Sequence, residues 1–187
     1  MMAFMRPLLL MLALLVTTLP AHAQTFPALS GRVVDTANII PDADEAALDA
    51  KLKALEETTD RQMVVATIPD LGGYAIDDYG YRLGRNWGLG QKDKDNGAIL
   101  LVAVNDRKMR IEVGYGLEPI LTDGLSSVII NTQIVPQFKA GDFAGGINAG
   151  VDAMIAQLKL PPEEAAKRAK QVSAKQSKEG DASAVMF

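Results

Sequence analysis

Apolar and polar positions along this chain fall into two rhythms, and the segment from Asn96 to Asp123 shows both. Ala98 to Val104 is wholly apolar, the pattern of a strand buried on both faces. From Lys108 to Val113 the residues alternate, with Met109, Ile111 and Val113 on one side and Lys108, Arg110 and Glu112 on the other. That is a strand with one wet face at a sheet edge, where charges discourage mispairing. Asn105-Asp106-Arg107 supplies the turn between them. The second strand leaves through Gly114 and Gly116 into an acidic, helix-starting segment that contains Glu118 and Asp123.

The same reading extends both ways. Arg32 to Asp35 is a short extended segment. Asp42 as N-cap with Glu45 three residues later forms a capping-box pattern. It opens a helix over Ala43 to Glu57 with Leu48, Leu52 and Leu55 on one face. Gln62 to Ile68 reads as a strand stopped by Pro69-Asp70, and Tyr74 to Trp87 as a helix with Ile76, Tyr79, Leu83 and Trp87 stacked. Gly88 to Asp95 is a glycine-rich, charged loop. Asp123 to Val135 reads as a helix broken at Pro136, and Asp142 to Leu158 as the last core helix. Residues 161–187 form a polar tail, either a loose helix or disordered.

One βαβ crossover makes the strands at Met63 and Ala98 parallel, and the hairpin adds an antiparallel strand. The expected fold class is α/β: a three-layer α/β/α sandwich around a small mixed sheet. Following the strand directions gathers acidic residues at two edges. Asp35, Asp70 and Asp106 belong to the upper edge, where the parallel strands end. Asp93, Asp95, Glu118 and Asp123 belong to the lower edge, where Gly114 and Gly116 permit close backbone approach.

Composition narrows the chemistry. Residues 1–23 read as a secretory signal peptide: Arg6, the apolar run Pro7 to Leu19, and Ala21-His22-Ala23 as an A-x-A cleavage pattern. His22 is the only histidine and the chain has no cysteine, so the mature protein lacks both. That excludes a Ser-His-Asp triad, a cysteine nucleophile, a usual zinc site and disulfides. Removing Arg6 from the 19 basic residues leaves 18 against 23 acidic, a net charge of −5, which gives no reason to expect nucleic-acid binding. Carboxylate and amide oxygens suit a hard cation, Ca²⁺ or Mg²⁺.

Several segments together resemble the TPM domain family, named after a thylakoid lumen protein, a photosystem II repair protein and a nematode membrane protein. They are Val34-Asp35 with Ala37, Thr58 to Val65, Asn86 to Gly90, and Asn96-Gly97-Ala98 to Val104. Ile111 to Leu117, Leu121-Thr122-Asp123, and Pro136 with Phe138 and Gly141-Asp142 complete the set. The resemblance assigns residues 24–160 to a TPM domain and implies an α/β/α sandwich and a periplasmic or secreted location. It also implies calcium binding and weak acid phosphatase activity of the kind reported for some relatives. Bacterial relatives often carry the label "methanol dehydrogenase-related", and many continue into a transmembrane helix. After Leu160 this chain has only the polar tail, so it is read as a free form with no stable membrane anchor after signal cleavage.

The candidate metal ligands are Asp93, Asp95, Glu118, Asp123 and Asp35. Asp93-Lys94-Asp95-Asn96-Gly97 looks like the start of a calcium loop, although it does not fit an EF-hand. Asp123 either binds metal or caps the helix it starts. Asp35 either binds metal or fixes the turn before the first helix. The functional expectation is a periplasmic Ca²⁺-binding module assisting another envelope protein, with Mg²⁺ the lesser candidate. The alternative is a metal-assisted, acid phosphatase-like hydrolase of phosphate esters, which rests on the resemblance alone.

Overall fold

All seven residues of Gly97–Ala103 are buried, so this strand has to lie inside a sheet covered on both faces. The computed structural model, which describes residues 24–184, places it there; the expected signal segment, residues 1–23, lies outside the described residues. In chain order the elements are β1 (Val33–Asp35), α1 (Asp42–Thr59), β2 (Gln62–Ile68), α2 (Ile76–Trp87), β3 (Gly97–Ala103) and β4 (Lys108–Val113). They continue with α3 (Asp123–Ile129), a π-helical turn (Ile130–Ile134), α4 (Val135–Lys139), α5 (Phe143–Leu158) and α6 (Pro162–Ala184).

The sheet order is β1-β2-β3-β4. β1, β2 and β3 run parallel, with Val33 opposite Val65 and Gln62 opposite Gly97, while β4 is antiparallel to β3, with Ala98 opposite Val113. The alternating strand therefore does form an edge. On one face Met63, Val65, Leu100 and Ile111 pack under Leu48, Leu52 and Leu55 of α1 and Ile147, Val151 and Met154 of α5. On the other, Ala66, Ile68, Ile99 and Leu101 meet Tyr79 and Leu83 of α2. This is the mixed-sheet α/β/α sandwich expected from the sequence. α2 sits close because it turns glycines to the sheet: a Cβ on Gly80 would stand 3.3 Å from Glu112 Oε2, and one on Gly84 3.5 Å from Ile99 Cδ1.

Two local expectations need correction. The capping box at Asp42 and Glu45 does not form: Pro41 is the N-cap of α1, without a side-chain cap, and Asp42 lies in the first turn. There Asp42, Asp44 and Glu45 instead oppose the positive end of the helix dipole. The helix from Asp123 does not run unbroken to Val135. Pro136 cannot donate to a carbonyl four residues back, and its ring crowds that position. The chain widens into the π-helical turn just before it, where the amide of Val135 bonds the carbonyl of Ile130.

Of the two readings of the tail, a loose helix or disorder, the helical one holds, and the helix is docked. Residues Pro162–Ala184 form α6, which docks along α3. Ala165 and Ala169 are fully buried. Thr122 Oγ1 lies 2.9 Å from Ser173 Oγ, and Gln176 Nε2 donates to Ser127 Oγ at 3.1 Å. Gln157 ties the start of α6 down, its Nε2 donating to the carbonyls of Ile120 at 2.5 Å and Ala165 at 2.9 Å. Among the described residues no helix is long and apolar enough to cross a membrane.

Candidate functional site

The lower end of β3 and β4 is built from backbone. The amide of Gly114 donates to the carbonyl of Gly97 at 2.8 Å, and that of Gly116 to the carbonyl of Asp95 at 3.1 Å. A side chain at either glycine would collide with main-chain oxygens, Gly114 with that of Asp95 and Gly116 with that of Lys94. Only glycine allows this approach.

Side-chain amides hold the facing loop. Asn96 is 7% exposed; its Oδ1 accepts from the amide of Gln91 at 2.7 Å and its Nδ2 donates to the carbonyl of Asp60 at 2.6 Å. Gln62 accepts from the amide of Gly90 at 2.8 Å and donates to Glu56 at 3.0 Å, and Glu56 also pairs with Arg32 at 2.8 Å. Asp93 and Asp95 both take left-handed backbone, φ 67° and 46°, a region that a loop holds only when its surroundings fix it.

These parts enclose a cleft of about 480 Å³. Asp95 and Glu118 line it, with Glu112, Arg85, Lys92 and Tyr115. Arg85 also bonds the hydroxyl of Tyr81 at 3.0 Å. Glu112 is already paired with Arg110 at 2.6 Å. Burial pulls the Arg110 guanidinium down, but the hydrogen bond and charge of Glu112, with the fields of Asp123 and Asp77, hold it above its ordinary value.

The candidate ligands separate in space. Asp95 and Glu118 share the cleft, whereas Asp93 and Asp123 do not line it. Asp93 is exposed on the loop. Asp123 is the first residue of α3, and the capping is done by its neighbour Thr122, whose Oγ1 accepts from the amide of Leu125 at 3.3 Å.

Asp35 stands at the upper edge. Its carboxylate accepts from the amides of Ile39 at 3.3 Å and Ile40 at 2.8 Å and from the hydroxyl of Thr67, which is the turn-fixing arrangement. Burial and the neighbouring Asp35 push Glu45 above the ordinary carboxyl value. Asp70 and Asp106 similarly bond loop amides, of Gly72 at 2.9 Å and Leu71 at 2.8 Å.

Among the described residues no three acidic side chains stand close enough to hold a metal ion between them. The lower cleft is still lined by two carboxylate residues, Asp95 and Glu118, whose oxygens are hard donors of the type Ca²⁺ takes. The organising roles of Asn96 and Gln62 were not singled out from sequence. The only signal was the placement of an amide at the start of each strand.

The TPM domain family matches this chain over residues 33–157. Among solved structures, the N-terminal domain of a protein from P. gingivalis is 35% identical, with a TM-score of 0.64, over 68% of this chain and 81% of that one. The BA42 protein of the psychrophilic bacterium Bizionia argentinensis is 21% identical, with a TM-score of 0.55, over 66% and 92%. The N-terminal domain of the cg2496 protein of Corynebacterium glutamicum is 16% identical, with a TM-score of 0.55, over 74% and 88%. The last two share the fold. No curated protein matches the chain.

Proposed function

The chain belongs to the TPM domain family, and we propose that it is a periplasmic or secreted Ca²⁺-binding interaction module that assists another envelope protein. The observation that supports this reading is the pairing of Asp95 and Glu118 in one cleft beside a backbone corner that only glycine can form. Two carboxylates, main-chain oxygens and water make a donor set of low charge. Extracellular sites of that kind bind with dissociation constants of roughly 10⁻⁴–10⁻³ M. Mg²⁺ fits less well, because it demands near-ideal octahedral geometry and keeps its water. A cation there would clamp the loop carrying Asp95 to the segment carrying Glu118. The resulting ordered rim, with Tyr115 75% exposed at its mouth, is the surface offered to the partner.

Isothermal titration of the metal-stripped protein with Ca²⁺ and then Mg²⁺ tests the proposal. Saturable Ca²⁺ binding that Asp95→Asn and Glu118→Gln each weaken supports it. No binding up to millimolar Ca²⁺, or binding untouched by both substitutions, sinks it.

A further inference from the structure

At the opposite end of the sheet a second cavity, of about 760 Å³, opens between the β3–β4 turn and the corner where α4 meets α5. Its interior is apolar: Val102 is buried, and Met109 and Val135 are half-buried. Phe138 and Phe143 stand over it as an edge-to-face pair, ring centroids 5.0 Å apart. Phe143 remains 37% exposed.

The rim is cationic. Arg107, Lys108 and Lys139 all border the cavity and are exposed, and no carboxylate lines it. None of the three forms an ion pair among the described residues. Two acidic residues close to them in sequence are turned to the backbone: Asp106 accepts from the amide of Leu71, and Asp142 from that of Gly145, each at 2.8 Å. A basic rim without internal partners, on a chain with net charge −4, is an anion site in electrostatic terms.

Arg107 adds a second observation. It closes the hairpin turn in left-handed backbone, φ 54°, its amide bonded to the carbonyl of Val104 at 3.1 Å. Glycine is the relaxed residue at such a position. The chain instead carries a strained arginine that borders the cavity, and strain of this kind concentrates at ligand sites.

We propose that this cavity binds a single-chain amphiphilic anion, an alkyl body ending in an anionic oxygen head group. The alkyl body lies against Phe138, Phe143 and Met109. The head group is held at the rim by Arg107, Lys108 and Lys139. The site is separate from the acidic cleft and does not depend on Ca²⁺.

The test is an amide-resolved NMR titration of the protein with monomeric decanoate, beside decanol and inorganic phosphate. Decanoate should bind saturably and shift Met109, Lys139 and Phe143. Decanol and phosphate should each bind at least about tenfold more weakly, because each lacks half of the recognition. The Arg107→Glu, Lys139→Glu double variant and, independently, Phe143→Ser should each weaken decanoate at least about tenfold. Arg107→Gly should weaken decanoate while raising thermal stability, which a purely structural role for Arg107 would not produce. The proposal is overturned if decanoate does not saturate, if decanol binds equally well, or if the charge-reversed variant keeps full affinity. It is also overturned if phosphatidylglycerol vesicles bind through Arg107 and Lys139 while free decanoate does not, which would make the patch a membrane-contact surface.

Discussion

The amide of Gly116 donates to the carbonyl of Asp95 across the lower edge of the sheet, joining the exit of β4 to the loop that delivers β3. The contact fixes where Asp95 sits relative to Glu118, two residues beyond Gly116. Gly116→Ala should separate the two segments, because the new methyl group would strike the carbonyl of Lys94. Overpacking of this kind costs about 1–3 kcal/mol. Urea unfolding should show that loss, and NMR shifts should concentrate at 93–97 and 114–118. A stability unchanged within error would mean the corner is looser than described.

Calcium should stabilise the protein if Asp95 and Glu118 hold it. At a free concentration ten times the dissociation constant, mass action gives about 1.4 kcal/mol. The thermal midpoint should rise with Ca²⁺, fall back with chelator, and stay flat in the Asp95→Asn, Glu118→Gln double variant. A rise that persists in that variant would place the cation elsewhere.

Asp35 anchors the turn into α1 through two amides and the Thr67 hydroxyl. Asp35→Ala leaves those donors without their acceptor, at about 1–3 kcal/mol for each buried group left unpaired. Asp35→Asn keeps one accepting oxygen and should lose less. Equal denaturation midpoints for the two variants would refute the anchoring role.

Two glutamates should pull stability in opposite directions with pH. Burial pushes Glu56 up, but hydrogen bonds from Arg32 and Gln62 outweigh it, so its folded pKa lies below the ordinary 4.5. Its contribution is present at neutral pH and is lost as pH falls through the folded value. Glu45 lies above 4.5, through burial and then Asp35, so its contribution is present in acid and is lost as pH rises through its folded value. Urea midpoints at pH 3, 5 and 7 should show Glu56→Gln losing stability mainly at pH 5 and 7. Glu45→Gln should gain at pH 7. The reverse pattern would reject both assignments.

Gln157 holds α6 by donating to the carbonyls of Ile120 and Ala165. Gln157→Ala should cost about 1–3 kcal/mol. Hydrogen exchange should quicken along Ala165 to Ser173 more than in β3. Uniform quickening would show that α6 and the core open together.

Periodicity alone located the strands and the main helices, because a residue facing the core must be apolar wherever it falls along the element. It also fixed strand direction. A single crossover forces parallel pairing and a tight turn forces antiparallel pairing, so Gly114 and Gly116 had to return toward Asp95. What it could not give was the direction of each carboxylate. Asp93 and Asp95 differ by two positions, yet only Asp95 lines the cleft, because left-handed backbone at both breaks any simple alternation. The docking of α6 was likewise decided by tertiary contacts. The chain determined which residues could meet at each edge of the sheet. Packing decided which of them do, because a side chain's aim depends on neighbours that sequence spacing does not encode.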